Sequence, residues 1–115
     1  MEKINAIKKI KQGVFTIFSI SDAIAEDAAS EFQKTVSESL EKGEVKIILD
    51  LSSVPFISSK GLEMLLEMHK ESQKKGGGIK IAGPSEICAD IFYATHLANS
   101  LETYSDIESA RRSFL

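Results

Sequence analysis

Residues 45–62 read VKIILDLSSVPFISSKGL. The first part, 45–51, is a short apolar run interrupted by Lys46 and Asp50, the pattern of a central strand covered on at least one face. Pro55 has no N–H to give to a paired strand, so it cannot lie inside the sheet and 52–57 reads as the loop that leaves it. At Ser58 or Ser59 a helix begins, because a serine side chain there accepts a bond from an otherwise unpaired amide of the first turn. Leu62, Leu65, Leu66 and His69 follow at helical spacing and mark its buried stripe.

The flanking sequence extends this strand-loop-helix pattern. Upstream, Ile4, Ala6, Ile7 and Ile10 precede Gln12-Gly13, and 14–20 is rich in β-branched and aromatic residues, which predicts two strands joined by a tight turn. Ala25, Ala28, Ala29, Phe32, Val36 and Leu40 then recur every three or four residues, an amphipathic helix stopped by Gly43. Downstream, the glycines at 76–78 end the second helix and 79–82 forms another strand. Gly83-Pro84 opens a third helix, with Pro84 in its first turn and Ile87, Cys88, Ile91, Phe92 and Thr95 inward. Residues 101–104 supply a last strand. Ser105-Asp106-Ile107-Glu108 reads as a capping box for a terminal helix that turns Ile107, Ala110, the stem of Arg111 and Phe114 inward.

The order β-β-α-β-α-β-α-β-α predicts an α/β fold: a single domain over 1–115 with a four- to five-stranded mixed β-sheet packed against four helices. The N-terminal hairpin gives the antiparallel edge. In such sheets the working surface lies at the C-terminal ends of the strands, and 52–61 is such a loop.

Composition narrows the function. The chain has 115 residues, 43% of them hydrophobic, with 14 basic and 17 acidic side chains and a net charge of -3. That balance offers no overall cationic field for nucleic acid or anionic lipid. No apolar run approaches the roughly 20 residues of a membrane helix, and no signal-peptide pattern opens the chain. A cytoplasmic protein is expected, and a single cysteine, Cys88, fits a reducing compartment.

Catalytic patterns are scarce. His69 and His96 fall on different predicted helices with no HExxH or Cys/His pairing; His69 reads as a packed residue of the stripe and His96 as a helix end group. The glycine run lacks the Lys-Ser/Thr of a P-loop and precedes a strand when it should follow one. Glu63, Glu67 and Glu71, spaced by four, read as a solvated helix face, and Cys88 as a core thiol. No catalytic, cofactor or metal site is expected. The informative chemistry is at the start of the second helix, where free amides and the helix dipole favour added negative charge, so that a hydroxyl of Ser58 or Ser59 is suited to carry a phosphate. Spacing alone favours the plainer reading, that one of them is only an N-cap.

The segment resembles the STAS domain family, and most closely the single-domain bacterial anti-sigma factor antagonists. Their strand ends in Asp-Leu-Ser and continues with Val, an aromatic, an aliphatic and then Asp-Ser-Ser/Thr-Gly-Leu. Asp50, Leu51, Ser52, Val54, Phe56, Ile57, Ser59, Gly61 and Leu62 match that pattern in order and spacing. Ile79-Lys80-Ile81-Ala82-Gly83 resembles the next strand of the family, and Thr95-His96-Leu97 its Thr-Gly/His-Leu.

The resemblance implies a non-enzymatic partner switch. The unmodified antagonist binds an anti-sigma factor that is also a serine kinase and so frees a sigma factor; phosphorylation of the helix-start serine breaks the complex, and a cognate phosphatase would reverse it. Carried over, the phosphoacceptor is Ser59, with Ser58 as second choice. Helical geometry sets Lys60, Met64 and Glu67 away from the core direction of Leu62, so Ser58, Ser59, Lys60, Met64 and Glu67 are the expected partner-binding residues, with Met64 an exposed, adaptable contact. Neither nucleic acid nor membrane insertion is implied. Ser58 stands where the family has Asp, and Lys60 where it has Ser/Thr. These departures motivate a second reading, a STAS interaction module that works without phosphorylation, such as an accessory subunit of a lipid-transport ABC complex or a signalling scaffold. A third, a small enzyme or nucleotide-binding protein, rests only on nucleotide binding reported within the family.

Overall fold

The computed structural model describes residues 7–96 and 99–115. Five strands and four helices alternate as expected: β1 (Ile7–Gln12), β2 (Phe15–Ile20), α1 (Glu26–Glu41), β3 (Lys46–Asp50), α2 (Ser59–Lys74), β4 (Gly78–Ala82), α3 (Glu86–Ala94), β5 (Glu102–Tyr104) and α4 (Ile107–Ser113). Ile4 and Ala6, expected in the first strand, and Leu97, expected in the segment before the last strand, lie outside the described residues. The strands lie side by side in the order β1-β2-β3-β4-β5. β1 runs antiparallel to β2, with Gln12 opposite Phe15, and every later pair is parallel. Gly13, at φ 59°, makes the two-residue hairpin turn possible.

Each sheet face has its own core, which follows from strand alternation. Phe18, Ile20, Ile47, Leu49, Ile79 and Ile81 pack with Phe32, Val36 and Leu40 of α1, Met64, Leu65 and Met68 of α2, and Cys88 and Phe92 of α3. Phe18 and Phe32 meet edge to face at 6.4 Å between ring centroids. On the opposite face Ile17, Ile48 and Ala82 meet Ala110, with Tyr104, Ile107 and Phe114 packed around them. α4 covers that side.

The structure departs from the sequence pattern at four places. The buried stripe of α2 is Gly61, Met64, Leu65, Met68 and Ser72, and Leu62, Leu66 and His69 are only half-buried. Close approach to β4 and α1 selects small and pliable side chains, which an apolar count passes over. On α3 only Cys88 and Phe92 are buried; Ile87 is 54% exposed and Thr95 is exposed, because this short helix meets the core along a narrow seam. Pro84 precedes the helix and Ser85 is its N-cap, accepting from the Cys88 N–H at 3.2 Å. Asp106, one residue later than expected, caps α4 by accepting from the Ser109 N–H at 2.8 Å.

Candidate functional site

The loop between β3 and α2 emerges at the C-terminal end of the sheet, and its backbone is tied on both sides. The Ser85 N–H donates to the Leu51 carbonyl at 3.1 Å, and the Ser85 hydroxyl donates to the Val54 carbonyl at 2.6 Å. The Cys88 thiol reaches the same carbonyl at 3.4 Å. On the other side, Ile24 and Ile57 form a parallel bridge. The Ile24 N–H donates to the Phe56 carbonyl at 2.9 Å and the Ser58 N–H to the Ile24 carbonyl at 3.1 Å. At the loop entrance Asp50 accepts from the Ser52 N–H and hydroxyl at 3.1 and 2.8 Å, and from the Ser19 hydroxyl at 3.2 Å. This fixes the turn out of the strand.

The two serines have opposite fates. Ser58 is half-buried and is the N-cap of α2: its hydroxyl oxygen accepts from the Gly61 N–H at 3.1 Å. Ser59, the first helical residue, is exposed, as is Lys60. Gly61 lies so close to the Ile24 carbonyl that any β-carbon there would collide with it. A glycine is therefore required where the helix start meets the segment before α1.

Electrostatics single out the same point. The first turns of α1, α3 and α4 carry acidic residues, Glu26 and Asp27, Glu86, and Glu108 respectively, whereas that of α2 carries none. Its dipole is left uncompensated by acidic side chains at the position of Ser59.

Of the expected contact residues, Ser58, Ser59 and Lys60 gather at this start, and Glu67 is exposed two turns further along α2, where it accepts from the Gln33 amide at 3.3 Å. Met64 is corrected: it is buried, with 4% exposure, because α1 packs over that side of α2. Exposed apolar surface near the loop comes instead from Phe56, at 49%. The clamp residues Ile24, Ser85 and Cys88 were not anticipated. A serine directly after Gly-Pro was an available N-cap signal for Ser85; the role of Ile24 is backbone pairing and leaves no residue signature.

A cleft of about 480 Å³ lies beside the loop on the α4 side, lined by Asp50, Ser52, Gly83, Asp106, Ile107 and Glu108. Its carboxylates are engaged, Asp50 with serines, Asp106 as a cap and Glu108 with Arg111. Among the described residues no group of three or more His, Cys, Asp or Glu is placed to hold a metal ion. Burial pushes the Cys88 thiol up in pKa, away from a reactive thiolate. His69 is a packed residue: its Nδ1 accepts from the Ile79 N–H at 3.1 Å, and burial pushes its pKa down. No described helix is long and apolar enough to cross a membrane.

The sequence matches the STAS domain family over residues 5–110. The chain belongs to that family. Solved STAS-type structures agree with the fold. A protein of Thermotoga maritima assigned as an anti-sigma factor antagonist superposes with a TM-score of 0.89 at 24% identity, covering 96% of this chain and 95% of that one. The anti-sigma factor antagonist SpoIIAA in its unphosphorylated form gives a TM-score of 0.79 at 16% identity over 94% and 96% of the two chains. The phosphorylated form of the Bacillus cell fate determinant SpoIIAA gives 0.72 at 16% identity over 94% and 99%. No curated protein matches the sequence. Within this STAS domain, the loop and helix start just described hold the matched Asp50 to Leu62 motif.

Proposed function

We propose that this chain, as one STAS domain over 1–115, is an anti-sigma factor antagonist that binds a kinase-type anti-sigma factor, releases a sigma factor and is switched by phosphorylation of Ser59. The observation that carries the proposal is the exposed Ser59 on the one described helix start without an acidic residue in its first turn, on a loop clamped by Ile24 and Ser85. Support comes also from similarity in fold to anti-sigma factor antagonists, one of which is known in unphosphorylated and phosphorylated forms. A phosphate adds about -1.5 to -2 of charge. On Ser59 it meets the free amides of α2 and the adjacent Lys60, and it converts a surface matched to a neutral hydroxyl into one that an acidic partner repels. Ser58 is the poorer acceptor, since its hydroxyl is committed as the cap.

The protein is then the substrate: in the cytoplasm its partner transfers the γ-phosphoryl group of ATP to the Ser59 hydroxyl, releasing ADP, and a cognate phosphatase hydrolyses the phosphoserine to serine and inorganic phosphate. Ser59, Lys60, Glu67 and Phe56 are the proposed contact surface. The test is incubation with the cognate anti-sigma kinase and ATP, followed by mapping of the phosphate by mass spectrometry. One phosphate on Ser59, absent from Ser59→Ala, and weakened binding by Ser59→Asp are expected. Phosphate elsewhere defeats the assignment.

Lys60, in place of the Ser/Thr of the family, favours a second reading, a module whose partner meets that cation without any phosphorylation. A pull-down that returns a transport ATPase subunit, with binding lost in Lys60→Glu and unchanged in Ser59→Ala, selects it.

A further inference from the structure

The end of the sheet opposite the Ser59 loop gathers lysines that are scattered in sequence. Lys11 stands beside the β1–β2 hairpin turn and donates to the Gly13 carbonyl at 2.6 Å. Lys46 begins β3 and pairs in register with Phe15 and Gly78. Lys42 is the C-cap of α1, and Lys74 and Lys75 end α2, whose last turn is fastened to β3 by the Ser72 hydroxyl donating to the Val45 carbonyl at 2.7 Å. Lys11, Lys42, Lys74 and Lys75 are exposed. The nearby carboxylates are Glu41; Glu38 and Glu71, one turn before Lys42 and Lys75 respectively; Glu44, paired with Lys9 at 2.9 Å; and Glu102, paired with Lys80 at 2.9 Å, so the lysines at 11, 42, 46, 74 and 75 leave this end cationic on balance. Compensation of helix dipoles accounts for lysines at 42, 74 and 75. It does not account for Lys11 and Lys46, which lie on strands.

Between Lys11 and Lys46 is a shallow cleft of about 310 Å³, lined also by Gly13, Val14, Gly43 and Glu44. Val14, at the tip of the hairpin, is 62% exposed. A bare apolar side chain among flexible lysines fits a headgroup layer, where the ammonium groups meet phosphates and the valine enters the interface. Lysine suits such a diffuse array of phosphates, whereas reading a planar, bidentate ligand favours arginine.

We propose that this lysine-rich end docks the domain peripherally on an anionic lipid surface. α2 runs from this end to Ser59 over 16 residues, about 24 Å at the rise of an α-helix, so docking leaves the Ser59 loop facing away from the bilayer and open to a partner. The net charge of -3 averages over two ends of different character. The proposal stands independently of phosphorylation.

Co-sedimentation with vesicles tests it, comparing phosphatidylcholine alone with phosphatidylcholine containing about one third phosphatidylglycerol. Binding to the anionic vesicles alone, released by added salt, is expected. Each lysine removed lowers the partition about fivefold, so the triple variant Lys11→Gln/Lys42→Gln/Lys75→Gln loses roughly a hundredfold. The control Lys8→Gln/Lys34→Gln, toward the other end of β1 and in the middle of α1, changes it far less. Circular dichroism checks that the variants fold; should the lysine triple fail, Val14→Asp, on an exposed turn, must weaken binding by itself. Absence of binding to anionic vesicles, equal losses per lysine in the two variants, or tighter binding to duplex DNA than to the vesicles overturns the proposal.

Discussion

The two ends of α2 obey the same packing rule and do different things with it. At the start, Gly61 is pressed against the Ile24 carbonyl; just past the end, Gly77 is pressed against the Val45 carbonyl. Each end also spends one serine on a backbone partner: Ser58 accepts from Gly61 N–H at 3.1 Å, and Ser72 donates to the Val45 carbonyl at 2.7 Å. The difference is in what remains exposed, Ser59 and Lys60 at one end and Lys74 and Lys75 at the other. The scaffold is common to both ends, and their chemistry resides in side chains that contribute little to holding the fold.

The glycines give the largest effects with which to break this comparison. Gly77→Ala and Gly61→Ala each force a β-carbon into a backbone carbonyl and should lower stability by about 1–3 kcal/mol in urea unfolding, since neither carbonyl can move without its strand or bridge. An unchanged midpoint for either would show that its end is not clamped. Next come the committed serines. Ser58→Ala removes an N-cap and Ser72→Ala a buried bond, each costing about 1 kcal/mol in the same measurement. The Val45 carbonyl still accepts from Gly78 N–H at 3.0 Å in the second case, which limits the loss.

A smaller effect is carried by pH through His69, on the same helix. Folding lowers its pKa below the ordinary 6.5, with burial as the largest cause, the Glu102 charge opposing and the Lys80 charge adding. The unfolded chain therefore takes up the proton first. The stability that neutral His69 contributes is fully present above 6.5, falls as pH drops through 6.5 toward the lowered native value, and levels off below it. Unfolding midpoints followed from pH 8 to pH 5 should thus fall more steeply for the native protein than for His69→Gln. Ser59→Ala is the smallest, within about 0.5 kcal/mol of the native stability. A larger loss would mean that Ser59 holds the fold, as Ser58 does.

Much of the fold was legible because its signals are local. The run of 45–51, the period of 25–40 and the glycines at 13, 43 and 76–78 each report the conformation of their own few residues, and strand alternating with helix leaves few ways to assemble a sheet. The sites of failure were those where a neighbour intervenes. Met64 lies on the side of α2 that leucine spacing points outward, and α1 covers it. Ile87 has the spacing of a core residue on a helix whose buried seam is too narrow to include it. The motif located the candidate site; the division of labour between Ser58 and Ser59 needed the cap geometry, as spacing allowed either serine to be the cap.

By itself, then, the sequence determined the order and type of the elements, the strand-loop-helix that carries Ser59 and the family to which the chain belongs, since these depend on side-chain patterns along short stretches. Tertiary structure alone decided which serine is free, that Ile24 and Ser85 clamp the loop, and that lysines from 11 to 75 share one end of the molecule. Those depend on which distant backbones and charges come together, and distances across a packed sheet are not encoded in the spacing of residues along any one element.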